Sequence, residues 1–223
     1  MSQSKLPIDP TLEAPIQWVR KNSRAASLAA IALLGGVLGI YLFVRSAQIR
    51  AVRAEDAYNE AQQLIYTGNL PGGQAKMGET ATRYAGTNAG TMAAMRLAVA
   101  RMNERKIGDA ITILKQAQPK ANKKLFGSAI HGLLAAALSD SGAYSLAADE
   151  YILAATAATG EGEKAALNYR AAELLAQEAN KQRAVTILET LASGPPSEVR
   201  GKARKLLGEI TTAPAKVGGT SGQ

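Results

Sequence analysis

The chain of 223 residues has no cysteine, a single histidine and only 4% aromatic residues. Without cysteine, disulfides, thiolate nucleophiles and cysteine-ligated metals are excluded. The alternation of β-branched residues that marks half-buried strands is scarce, so an all-α fold is expected. No glycine-rich phosphate loop follows a strand pattern, and no serine sits in a nucleophile-elbow motif. His131 falls at a helical position of the kind used for packing. The carboxylate pairs Asp149-Glu150 and Glu161/Glu163 read as solvated helix faces or as a first turn favoured by the helix dipole. Nothing divides acid and base roles between two groups, so the chain is read as a non-enzyme. No catalytic, cofactor-binding or metal-ligating residue is assigned, and no cofactor is expected.

What the chain has in plenty is alanine, the strongest helix former and a residue that lets helices pack closely. Its net charge of +8 raises the question of a nucleic-acid partner. The distribution argues against one. Residues 1–53 hold seven of the 26 basic residues (Lys5, Arg20, Lys21, Arg24, Arg45, Arg50, Arg53) and two of the 18 acidic ones, Asp9 and Glu13. The remainder holds 19 basic and 16 acidic residues, with no basic stripe interleaved with stacking aromatics. The basicity flanks a hydrophobic segment, as expected of side chains that meet anionic lipid headgroups. Membrane lipid is the expected partner of this region, and nucleic acid is not.

That segment runs from Ala25 to Val44, twenty residues without a charge. At about 1.5 Å per residue it matches a hydrocarbon core about 30 Å thick. Arg24 and Arg45 bracket it, with Trp18, Tyr41 and Phe43 near its ends, where amphipathic rings settle at membrane interfaces. A cleaved signal peptide fits less well, because the apolar run is too long and starts late. Residues 25–44 are therefore expected to be a transmembrane signal anchor, after a cytoplasmic tail over 1–24 and before a basic juxtamembrane segment over 45–53. Positive charge is nearly balanced on the two sides, so orientation rests on the tendency of short N-terminal tails to stay in the cytoplasm. Gly35, Gly36 and Gly39 form a small-residue face that would let two membrane helices approach.

The remaining chain repeats itself. At a step of 37 residues, Ala61, Ala98, Ala135 and Ala172 coincide; so do Gly73, Ala110, Ala147 and Ala184, and Met77, Leu114, Tyr151 and Leu188. Small residues recur where two helices would cross, and large ones four residues after the second small position. Each unit reads as a helical hairpin, with turns at Gly68-Asn69 in the first and Asp140-Ser141-Gly142 in the third. Pro195-Pro196 then breaks the chain, and Ser197 is placed to cap a last helix ending near Ile210. That helix carries Arg200, Lys202, Arg204 and Lys205 on a solvent-facing side, as a capping helix should. The repeat domain is expected over 54–211, and 212–223 is expected to be disordered.

Gly142, Tyr144 and Ala147, with Ala135 upstream and Ala154 downstream, resemble the tetratricopeptide (TPR) signature, although a step of 37 exceeds that family's usual 34. The whole arrangement is similar to the YfgM-like ancillary subunit of the SecYEG translocon. The residues that carry this likeness are Ile16 to Asn22 before the anchor, Ala57-Tyr58-Asn59-Glu60-Ala61, Tyr84-Ala85-Gly86-Thr87 through Leu97-Ala98, and Lys106 to Leu114. The resemblance implies a TPR-like right-handed superhelix of about four hairpins with a capping helix. It also implies a single-pass protein of a bacterial inner membrane, with its N-terminus cytoplasmic and its C-terminal domain periplasmic. The partners it implies are the translocon, periplasmic chaperones or exported polypeptides.

In stacked hairpins the first helix of each unit lines the concave face. This register predicts a protein-binding groove formed by Tyr58, Gln62, Ile65 and Tyr66 from the first unit, with Tyr169 and Glu173 from the fourth. The second unit supplies Met92, Met95, Val99 and Met102, spaced three, four and three apart and so on one helical stripe. Methionine adapts its shape to varied apolar partners. The alternative for the stripe is packing against the next unit. The alternatives for function are a structural or assembly subunit of another membrane complex, and a TPR adaptor facing the cytoplasm.

Overall fold

The computed structural model describes residues 21–177 and 181–212. The expected tail before Lys21, including Trp18 and Arg20, and the expected tail after Thr212 lie outside the described residues. Among the described residues there are nine α-helices and no strand. They are α1 (Ser23–Tyr66), α2 (Leu70–Arg83), α3 (Asn88–Asn103), α4 (Ile107–Ala117), α5 (Lys123–Asp140), α6 (Tyr144–Ala157), α7 (Glu161–Leu175), α8 (Gln182–Ser193) and α9 (Glu198–Thr212). A 3-10 turn over Gln118–Lys120 follows α4. The chain divides after Arg50 into two compact units.

The first unit contains the N-terminal part of α1. Its most apolar stretch has a mean hydropathy of 2.3 and none of it is buried, whereas a core helix of a soluble protein buries its apolar face. One helix is thus long and apolar enough to cross a membrane. Two of its serine hydroxyls are satisfied within the helix: Ser27 donates to the Arg24 carbonyl at 3.0 Å and Ser46 to that of Phe43 at 2.8 Å. This local pairing is what a hydroxyl needs where water is scarce.

The second unit is built from helical hairpins, and the 37-residue columns are its seams. All twelve column residues are buried, including Ala61, Ala98, Ala135 and Ala172 at 0% exposure. A methyl group is the largest side chain that helices in such close contact accept. At Gly73 even that is too large: a Cβ there would stand 2.4 Å from Ile65 Cγ1 and 3.0 Å from the Ala61 carbonyl oxygen. The first hairpin closes more tightly than the other three, where alanine fills this column. Met77, Leu114 and Leu188 fill the space beyond each crossing and are almost wholly buried, each worth about 1.5–3 kcal/mol relative to exposure.

The turns add a column that the apolar pattern does not reveal. Gly68, Arg105 and Gly142 stand 37 residues apart and have φ of 86°, 63° and 82°. The first three hairpins reverse through the same left-handed position, which glycine adopts freely and arginine only with strain. Three helices begin with side-chain caps: on α2 Asn69 accepts from the Gly72 amide at 3.0 Å, on α3 Thr87 from Gly90 at 3.0 Å, and on α5 Asn122 from Lys124 at 3.1 Å.

The array ends as the sequence suggests. Ser197 Oγ accepts from the Arg200 amide at 3.1 Å and caps α9. Ala203 is buried with Ala172 and Leu188, while Lys202, Arg204 and Lys205 stay exposed. Arg204 donates to the Ala192 carbonyl at 3.2 Å and Arg200 to that of Gly194 at 3.4 Å. The cap therefore also satisfies carbonyls left over at the end of α8. Thr212 closes α9.

Candidate functional site

The first helices of three successive hairpins, α1, α3 and α5, meet around a concavity of about 500 Å³. Tyr58 comes from α1; Met92, Met95, Arg96 and Val99 from α3; Phe126, Ala129 and Leu133 from α5. The spacing along α3 puts the methionines and valine on one stripe, and 126, 129 and 133 do the same on α5. Met92 and Val99 are each 39% exposed. Met95 and Met102 are partly buried against the main core. The stripe therefore serves both purposes: Met92, Met95 and Val99 line the concavity, whereas Met102 packs against the core and is not among its lining residues.

The other residues expected in the groove lie elsewhere. Gln62 is half-buried on α1 and is not among the residues lining the concavity. Ile65 packs against Gly73 at the hairpin crossing, and Tyr66 is 85% exposed at the end of α1. Tyr169 and Glu173 line a second concavity of about 690 Å³ between α7 and α9, with Arg170, Lys202, Lys205 and Glu209. There burial, joined by the negative charge of Glu173 and Glu209 and a hydrogen bond with Glu173, raises the Tyr169 hydroxyl above its ordinary pKa. Gly35, Gly36 and Gly39 have open space where a Cβ would stand, so their stretch of helix presents a smooth face.

The sequence reading missed Arg96, Phe126, Ala129 and Leu133. The last three carried a usable signal, an apolar i, i+3, i+7 series on a first helix. Arg96 carried none, since a single arginine on a helix reads as solvated.

Two polar clasps join hairpins. Glu150 accepts from His131 through Nδ1 at 2.6 Å, and Gln118 Nε2 lies 3.0 Å from the same ring nitrogen. Both ionisable partners are about four-fifths buried. The histidine thus ties α5 to α6 and to the turn after α4. Glu150 is not a solvated face residue as its sequence context suggested, and Asp149 pairs with Arg183 of α8. Glu161 and Glu163 do occupy the first turn of α7. The second clasp centres on Glu104, which binds Lys106 at 2.9 Å, Gln74 of α2 at 2.6 Å and Arg101 at 2.8 Å. These bonds, Lys106 foremost, hold its pKa down to about 2. Among the described residues no group of histidine, aspartate and glutamate side chains is arranged to hold a metal ion.

Stacked helical hairpins with an apolar concavity on their first helices define a class of repeat proteins that bind other polypeptides. The profile of the tetratricopeptide repeat-like domain matches residues 17–155, and the chain belongs to that family. Domains of this kind are typically non-catalytic scaffolds for protein–protein interaction. Neither a curated protein nor a solved structure matches the chain.

Proposed function

We propose that this chain is a membrane-anchored scaffold that binds apolar polypeptide segments in the groove between α1, α3 and α5. The single observation behind this reading is that three first helices turn apolar side chains toward one concavity. An apolar concavity bordered by exposed methionine and valine suits segments of varied sequence, because methionine repacks at little cost. The stretch over 25–44 acts as the anchor, with lipid around it, after a cytoplasmic N-terminal tail. Through its resemblance to the YfgM-like subunit, the protein is an ancillary part of the Sec translocon in a bacterial inner membrane. Its TPR-like superhelix then lies in the periplasm, where exported chains and chaperones are the partners.

The test is site-specific photocrosslinking in membranes from probes at Val99 and Leu133, compared with a probe at the exposed Glu161. Translocon subunits, exported chains or chaperones should appear from the first two alone. Equal yields from all three positions would sink the groove assignment. A reporter fused after Gln223 checks orientation: cytoplasmic activity would replace the periplasmic role with that of a cytoplasm-facing adaptor.

A second reading rests on the open face at Gly35, Gly36 and Gly39. There the protein is an assembly subunit of another membrane complex, held through helix–helix contact. Gly35→Leu with Gly39→Leu separates the two. Loss of complex assembly with groove crosslinks intact supports this second role.

A further inference from the structure

Two polar groups in the groove wall stand out against its apolar surroundings. Tyr58 is 5% exposed, and its hydroxyl is the buried side-chain polar atom with no hydrogen-bond partner among the described residues. A buried phenol in that state carries a desolvation cost that an incoming acceptor would relieve. Arg96 is the only charged residue lining the concavity. It is exposed, and its side chain makes none of the ion pairs found among the described residues. Arg101, little more than a turn along the same helix, is by contrast held by Glu104 at 2.8 Å.

We infer that the groove selects apolar segments carrying an internal carboxylate, which pairs with Arg96 while an acceptor of the segment takes the Tyr58 hydroxyl. This rests on the proposed reading of the groove as a polypeptide site. A wholly apolar occupant would strip water from the Arg96 guanidinium without replacing it, and that costs free energy. A basic occupant would add repulsion. An acidic side chain among apolar ones turns the same desolvation into a charge-assisted hydrogen bond, about twice as strong as a neutral one. Tyr58 shares the concavity with Met92 and Met95, whose unbranched side chains can change rotamer to admit an acceptor.

The experiment uses the full chain in lipid nanodiscs and fluorescence anisotropy with three end-blocked leucine-rich peptides. Their central residue is glutamate, glutamine or lysine. The glutamate peptide should bind about tenfold more tightly than the glutamine one, as a single charge-assisted hydrogen bond allows, and the lysine peptide more weakly than both. Arg96→Gln should erase the difference. Tyr58→Phe should weaken all three several-fold while leaving the unfolding temperature of the free protein unchanged or higher, since it removes an unsatisfied group. A purely structural tyrosine would give the opposite pair of results. Equal binding of the glutamate and glutamine peptides, still lost in Leu133→Glu, overturns the carboxylate preference and leaves the groove reading standing. If no peptide binds, or if Leu133→Glu has no effect, the groove reading itself falls. If the chain self-associates and Leu133→Glu makes it monomeric, a second copy is the occupant and the proposal is wrong.

Discussion

The two concavities of the repeat domain share a scaffold and differ in lining. Around α1, α3 and α5 the wall is methionine, valine, phenylalanine and leucine with one arginine. Between α7 and α9 it is tyrosine and glutamate facing lysines, with Val199 and Leu206 the larger apolar contributors. Yet the seams beneath them are alike: Ala98 and Ala172 are equally buried, as are Leu114 and Leu188. The comparison separates two sets of positions. Column residues hold each hairpin shut and are buried alike in every unit. Positions that face inward from the first helices differ between the two concavities.

The shared scaffold is tested first, where the effect is largest. Leu114→Ala and Leu188→Ala should each cost about 3 kcal/mol, within the 2–5 kcal/mol typical of buried leucine truncation. Chemical denaturation followed by circular dichroism measures it. A cost at one site alone would break the equivalence of the seams.

The difference in lining comes next. Met92→Glu should reduce binding of a leucine-rich peptide at least tenfold, since a carboxylate in an apolar wall is costly to desolvate. Tyr169→Phe should leave that binding unchanged in the same anisotropy titration. If both variants lose it, the two concavities act as one surface.

A smaller effect separates the turns. Arg105→Gly should stabilise the domain by about 1 kcal/mol, because φ of 63° is strained for any side chain and natural for glycine. The mirror change, Gly68→Arg, should destabilise by a similar amount in parallel melts.

The smallest concerns the Glu104 clasp. Its pKa of about 2 lies below the ordinary 4.5. A lowered carboxylate pKa contributes stability that is present above the unfolded value and lost as pH falls through the folded one. The loss should therefore fall between about pH 4.5 and 2. Glu104→Gln should flatten this part of the stability profile. The carboxylate is exposed, so solvent screening keeps the effect small.

Much of the fold was legible because small residues recur only where backbones approach, and that constraint repeats with the unit. The seams followed from it, while the cap at Ser197 followed from the chain break at Pro195-Pro196. The groove was half legible. Met92, Met95 and Val99 lie on one helix, so helical period alone groups them. Ile65 and Tyr66 lie instead at the end of α1, where Ile65 meets Gly73 of α2 and Tyr66 faces solvent, an outcome of helix crossing that helical period alone does not encode. Glu150 was misread for a related reason: its partner His131 is nineteen residues away, and nothing local to either residue signals the pairing.

The sequence by itself determined the all-helical class, the 37-residue repeat, the columns that close each hairpin and an apolar run long enough to cross a membrane. These follow from helical period, side-chain size and hydropathy, which act between near neighbours or repeat at a fixed interval. Only the tertiary structure decided which first helices share a cavity, that Tyr58 hides an unpaired hydroxyl in its wall, and that Arg96 stands alone there. Those features depend on where separate hairpins bring their inner faces together, and no local pattern encodes that distance.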